Sequence, residues 1–159
     1  MFQPRNSVWC VLHIGPTDST PMNWLSAQEE FESWFKGKIH FVYQFEDARE
    51  IMGVTQSRKV FTKGQPSDYL VVSNGQVFFA EIKSSENPTS FPLANIKKSQ
   101  WHTSIRVSAA NGDYRFYIRK EPEHIWFKVP AAFFIHLQDA GIKSVKWESM
   151  EVYRYEHHA

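Results

Sequence analysis

Gln65-Pro66-Ser67-Asp68-Tyr69-Leu70-Val71-Val72, then Asn74-Gly75, then Gln76-Val77-Phe78-Phe79-Ala80-Glu81-Ile82-Lys83 has the pattern of a β-hairpin with charged residues at its open end. Tyr69 to Val72 is rich in β-branched and aromatic residues. Asn74-Gly75 is the strongest short signal for a tight hairpin turn, and Gln76 to Ile82 supplies the returning strand. The outer ends of an antiparallel hairpin lie side by side, so Asp68 approaches Glu81 and Lys83. Glu81 and Lys83 are two positions apart and project from one face of their strand.

Two carboxylates held together repel and raise each other's pKa. A hard divalent cation removes the conflict, and Mg²⁺ is typically held by one or two carboxylates plus water and phosphate oxygens. A lysine one side-chain period beyond Glu81 orients a water or meets a phosphate. These residue types at this spacing predict metal-assisted hydrolysis of a phosphodiester. The bland alternative is a hairpin whose polar ends sit in water. The Asn-Gly turn, which brings both acids to one end, weighs against it.

Pro66-Ser67-Asp68, followed by Glu81-Ile82-Lys83, resembles the PD-(D/E)XK nuclease core. The continuation Thr89-Ser90-Phe91-Pro92-Leu93, then Asn95 and Gln100, resembles the segment after the active site of RecU-type Holliday junction resolvases. The resemblance implies an α/β fold with a restriction-endonuclease-like core, a central mixed sheet flanked by helices. It implies Mg²⁺, with Mn²⁺ able to substitute, held by Asp68, Glu81 and the Ile82 carbonyl. Lys83 would position the attacking water or stabilise developing charge, with Ser67 and Gln100 as accessories. It also implies a homodimer, so that each of two opposed strands meets one site. A first-helix glutamate often joins the metal in this superfamily; Glu29 and Glu30 are the candidates, with solvated helix charge the competing reading. The chain departs from the RecU pattern in two places. Residues 53–64 carry no proline-rich lead-in to a junction-entering stalk, and Lys97 and Ser99 stand where the family commonly has histidines.

Composition sets outer limits. The 159 residues suit one domain, with residues 1–21 as an N-terminal extension, and 42% apolar with 16% aromatic content excludes a disordered chain. Cys10 is the lone cysteine, which excludes an internal disulfide or a cysteine metal cluster and suits a reducing cytoplasm. No apolar run reaches membrane-spanning length, so a soluble cytoplasmic protein without membrane contact is expected. Net charge is only +1, but it is unevenly spread. From Lys83 to Lys120 seven lysines and arginines face two acids; from Pro21 to Glu50 three face six. A basic half beside an acid pair suits a phosphate-backbone binder.

Along the chain, Ser7 to Ile14 has strand character and Gly15 to Pro21 reads as loop. Asn23 to Phe35 predicts a helix with Trp24, Phe31 and Phe35 on one face, and Gly37 ends it. Ile39 to Phe45 alternates as a strand, Glu46 to Met52 suits a short helix, and Gly53 to Gly64 is a polar loop or a poorly formed strand. Arg58 and Lys59 in that loop, with Ser67, Lys97 and Lys98, are the candidate DNA contacts. Ser84 to Pro92 reads as loop and Leu93 to Ala109 as helix, with Gln100 toward the hairpin. Tyr114 to Lys120 and Ile125 to Val129 are strands, Ala131 to Ala140 a helix opened by Pro130 and stopped by Gly141, and Val145 to Val152 a closing strand.

Three functions compete on these residues. The first is a Mg²⁺-dependent structure-selective endonuclease, a Holliday junction resolvase acting on branched DNA. The second is a nuclease of the same fold acting on duplex or flap DNA, which the stalk departure favours. The third is a nucleic-acid-binding protein that kept the fold without catalysis, which the complete Asp68, Glu81 and Lys83 set argues against.

Overall fold

A β-hairpin and two later strands build the centre of the molecule. The computed structural model describes residues 26–37, 40–45, 65–121 and 123–157. The expected strand over 7–14, the short helix at 46–52 and the polar loop with Arg58 and Lys59 lie outside these residues.

Helix α1 (Ala27–Ser33) opens on a capping box. The Ser26 N–H donates to Glu29 Oε2 at 2.7 Å, and the Glu29 N–H donates to Ser26 Oγ at 3.2 Å. The expected cap at Asn23 lies outside the described residues. Strand β1 (Phe41–Gln44) pairs antiparallel with β2 (Tyr69–Ser73), which turns through Asn74 and Gly75 into β3 (Gln76–Ser85). Asn74 and Gly75 have φ of 50° and 74°, the left-handed pair that a two-residue hairpin needs.

The chain then leaves the sheet. The segment 84–92, expected as loop, forms the end of β3 and a short strand β4 (Ser90–Pro92). Asn87 Oδ1 accepts from the Thr89 and Ser90 N–H groups and from the Thr89 hydroxyl, folding the polar turn on itself. The helix expected over Leu93–Ala109 is two pieces, a 3₁₀ turn at Leu93–Asn95 and helix α2 (Lys98–Ala109). Ile96 and Lys97 are extended between them, with ψ of 115° and 154°.

Strand β5 (Tyr114–Lys120) returns parallel to β3, and β6 (Ile125–Pro130) pairs antiparallel with β5. Helix α3 (Ala131–Asp139) follows directly. Strand β7 (Ser144–Lys146) pairs with β4, a 3₁₀ helix runs over Trp147–Tyr153, and β8 (Arg154–Tyr155) closes on β6. The closing strand expected from Val145 to Val152 is thus mostly 3₁₀ helix. Trp147 and Met150, three apart, are both buried as that period requires.

The main sheet runs β1-β2-β3-β5-β6-β8 and is mixed. Alternation along its strands divides the core in two. Tyr69, Val71, Phe78, Ala80, Ile82 and Tyr117 pack under α1 around Phe31 and Trp34. Tyr114, Phe116, Ile118 and Phe127 pack on the other face against Trp101 of α2 and Phe134 of α3. Helices therefore flank a central mixed sheet, as the resemblance implied. Among the described residues no helix is long and apolar enough to cross a membrane.

Candidate functional site

Register fixes the site. Tyr69 lies opposite Ala80, so Asp68, just before β2, falls beside Glu81. The Asp68 carbonyl accepts the Phe45 N–H at 2.9 Å, which ties this end of the hairpin to β1. Phe78, Ala80 and Ile82 point under α1, which leaves Phe79, Glu81 and Lys83 on the opposite face, with α2 above them.

Glu81 is 1% exposed. Its Oε1 accepts from Lys83 Nζ at 2.9 Å and from Gln100 Nε2. Its Oε2 accepts the Tyr114 hydroxyl at 3.2 Å. Asp68 Oδ2 accepts the Ile82 N–H at 2.8 Å. Burial, then the Asp68 charge, push the Glu81 carboxyl up to about 7, while the Lys83 and Tyr114 contacts pull the other way. Burial first, then the Glu81 charge, raise Tyr114 well above the usual phenol range, so it stays a neutral donor.

Gln100 is fixed at both ends of its amide. Its Oε1 accepts the Lys97 N–H at 2.8 Å, satisfying an orphan donor at the start of α2, and its Nε2 reaches Glu81. The residue expected to face the hairpin thus docks the helix onto the acid.

Other candidates fall elsewhere. Ser67 is 3% exposed and its hydroxyl donates to the Tyr69 carbonyl at 2.8 Å. In this arrangement it braces the turn into β2 from inside, away from the surface a DNA contact needs. Ile82 gives its N–H to Asp68, and its side chain belongs to the core under α1. Lys97 and Lys98 are exposed at the start of α2, three and two positions before Gln100. Glu29 is spent on the capping box. Glu30 lies on the far face, where Oε2 takes Arg119 Nη1 at 2.6 Å and Oε1 takes the Trp126 indole N–H at 2.8 Å. Glu32 accepts the Tyr69 hydroxyl at 2.5 Å. None of the three helix glutamates bonds to the acid pair.

The basic half is partly consumed by internal pairs: Arg115 with Asp113, Arg119 with Glu30 and Glu121, Lys120 with Glu123. Tyr114 is the site residue that sequence reasoning missed. Its alternation marked a strand face, but which strand it would lie beside depends on the parallel β3–β5 pairing, for which a sequence carries no local signal.

The donor set suits a hard cation. It offers two adjacent carboxylates, one of them buried and ion-paired with Lys83, and among the described residues no group of three His, Cys, Asp or Glu side chains forms a metal cage. Two carboxylates completed by water are typical of Mg²⁺; a structural zinc site needs four protein ligands.

No protein-family model matches this sequence, and no curated protein matches it. The fold does have a solved counterpart. It is similar to that of Hjc, a Holliday junction resolvase from the archaeal hyperthermophile Archaeoglobus fulgidus, with TM-score 0.52 over 82% of this chain and 93% of that one, at 9% sequence identity.

Proposed function

We propose that this protein is a divalent-metal-dependent endonuclease that hydrolyses phosphodiester bonds in branched DNA, a junction-resolving enzyme of the RecU-like type. The observation that carries the reading is the Asp68–Glu81 pair, two adjacent carboxylates of which the buried one is held against its ionisation by burial and by its neighbour. The fold likeness to a junction resolvase and the motif run from Pro66 to Gln100 support it.

Asp68 and Glu81, with the Ile82 carbonyl, would hold Mg²⁺ or Mn²⁺. The ion would neutralise the pair and draw charge from a phosphate oxygen. Lys83, 13% exposed at its side chain, carries its ammonium 2.9 Å from Glu81 Oε1. There it can stabilise negative charge developing on the phosphate. Gln100 holds the Glu81 carboxylate in one rotamer and anchors α2. Lys97 and Lys98 at that helix start then face the DNA backbone. Two such chains in a homodimer would cut two opposed strands.

A second reading draws on one feature: lysine, amide and hydroxyl donors already occupy both Glu81 oxygens. A protein that binds branched DNA without cutting it would keep such a closed arrangement. Cleavage assays with Mg²⁺ on four-way junction, flap, linear duplex and single strand separate the readings. Paired cuts in the junction are expected. Cleavage confined to duplex or flap would move the substrate class, and binding without cleavage on any substrate would leave the second reading standing.

A further inference from the structure

Tyr114 is 2% exposed, and its ring packs between Phe79 and Phe116 with centroids 6.1 and 5.3 Å away. In the parallel register Tyr114 lies beside Phe79, two residues before Glu81. A strand rises roughly 3.3 Å per residue, so a tyrosine leaning along the strand spans that step and sets its hydroxyl against the carboxylate. The hydroxyl meets two acceptors at nearly equal distance, Glu81 Oε2 at 3.2 Å and the Pro66 carbonyl at 3.1 Å. It has one proton for the two. Pro66 begins the turn that carries Asp68, and Glu81 sits on the next strand. The hydroxyl therefore touches both the segment holding one acid and the carboxylate of the other.

We propose that Tyr114 is a positioning residue for cation binding, setting the Glu81 carboxylate and the Asp68 turn at the separation that a divalent ion requires. This rests on the reading of Asp68 and Glu81 as the metal-holding pair. Groups that bond to a metal ligand fix its orientation, and their loss commonly costs about 10- to 100-fold in affinity.

Tyr114→Phe keeps the packed ring and removes the oxygen. Mn²⁺ affinity is measured by calorimetry on the full chain, for the wild type, for this variant and for Tyr117→Phe, which alters a buried tyrosine under α1 instead. The expected result is an affinity about tenfold weaker or worse in Tyr114→Phe and unchanged in Tyr117→Phe. A merely structural tyrosine would lower the thermal midpoint of the variant and leave Mn²⁺ affinity alone. Should the variant fail to fold, a Mg²⁺ titration of wild-type protein isotope-labelled at tyrosine Cζ reads the same contact. The Tyr114 resonance is then expected to move with the binding curve while that of Tyr117 stays. Normal wild-type binding with equal affinity in Tyr114→Phe, or a Tyr114 resonance that ignores Mg²⁺, overturns the inference alone. A wild type that binds no Mn²⁺ removes the metal reading, and the inference with it.

Discussion

Glu30, on α1, and Glu81, on β3, are glutamates on opposite faces of the central sheet, and their neighbours differ in kind. Under α1, a single guanidinium reaches two acids at once: Arg119 meets Glu30 at 2.6 Å and Glu121 at 2.5 Å. His124 faces the same two acids at 4.0 and 3.6 Å. The planar fork of arginine suits such a double engagement. On the other face Lys83 pairs with Glu81, and among the described residues no ion pair neutralises Asp68. The remaining donors to Glu81 are a neutral amide and a neutral hydroxyl. A closed ion-pair network holds α1 to the sheet; an acid pair short of positive charge is what a cation completes.

Substitutions that exchange charge for shape break this contrast most directly. Asp68→Asn and Glu81→Gln should each lower cleavage by about a thousandfold or more while junction binding stays within a few-fold, read by gel assays of both. Wild-type cutting by either variant would move the chemistry elsewhere. Glu30→Gln should do the reverse. It removes the charge of one of the acids that Arg119 meets, at a cost of roughly 1 to 3 kcal/mol in a urea titration, with cleavage per folded molecule retained. A variant as stable as the wild type would make the α1 network ornamental.

A pH effect of up to roughly 3 kcal/mol sharpens the contrast further. The Glu81 carboxyl is raised from 4.5 to about 7, so between these values the folded chain holds a proton that the unfolded chain has released. Metal-free stability should therefore fall as pH rises from about 4.5 to about 7. The fall should be missing in Glu81→Gln and present in Glu30→Gln, as urea midpoints across that range would show. The smallest effect belongs to the surface. Lys97→Ala with Lys98→Ala should reduce the slope of log affinity against log salt by about 2, and an unchanged slope would take the start of α2 off the DNA path.

Local features were legible in the sequence. Asn74-Gly75 and the alternation around it gave the hairpin, the adjacency of Asp68 to Glu81, and the shared face of Glu81 and Lys83. Strand β5 matched its expected span because Tyr114 to Lys120 lies between a turn and a charged end. Features decided by distant pairing were hidden. Phe91 lies in a strand because Val145 pairs with it, and the helix from Leu93 breaks at Lys97 because Gln100 caps the backbone there. Glu29 and Glu30 were sorted only by Ser26 and Arg119. Tyr114 reached the site through a parallel register set by the crossover from β3 to β5.

Mn²⁺ binding followed by electron paramagnetic resonance in the wild type, Glu81→Gln and Glu30→Gln tests the acid pair most directly. Bound Mn²⁺ in the wild type and Glu30→Gln, with none in Glu81→Gln, is the predicted result. Equal binding by all three, or no binding by the wild type, would contradict it.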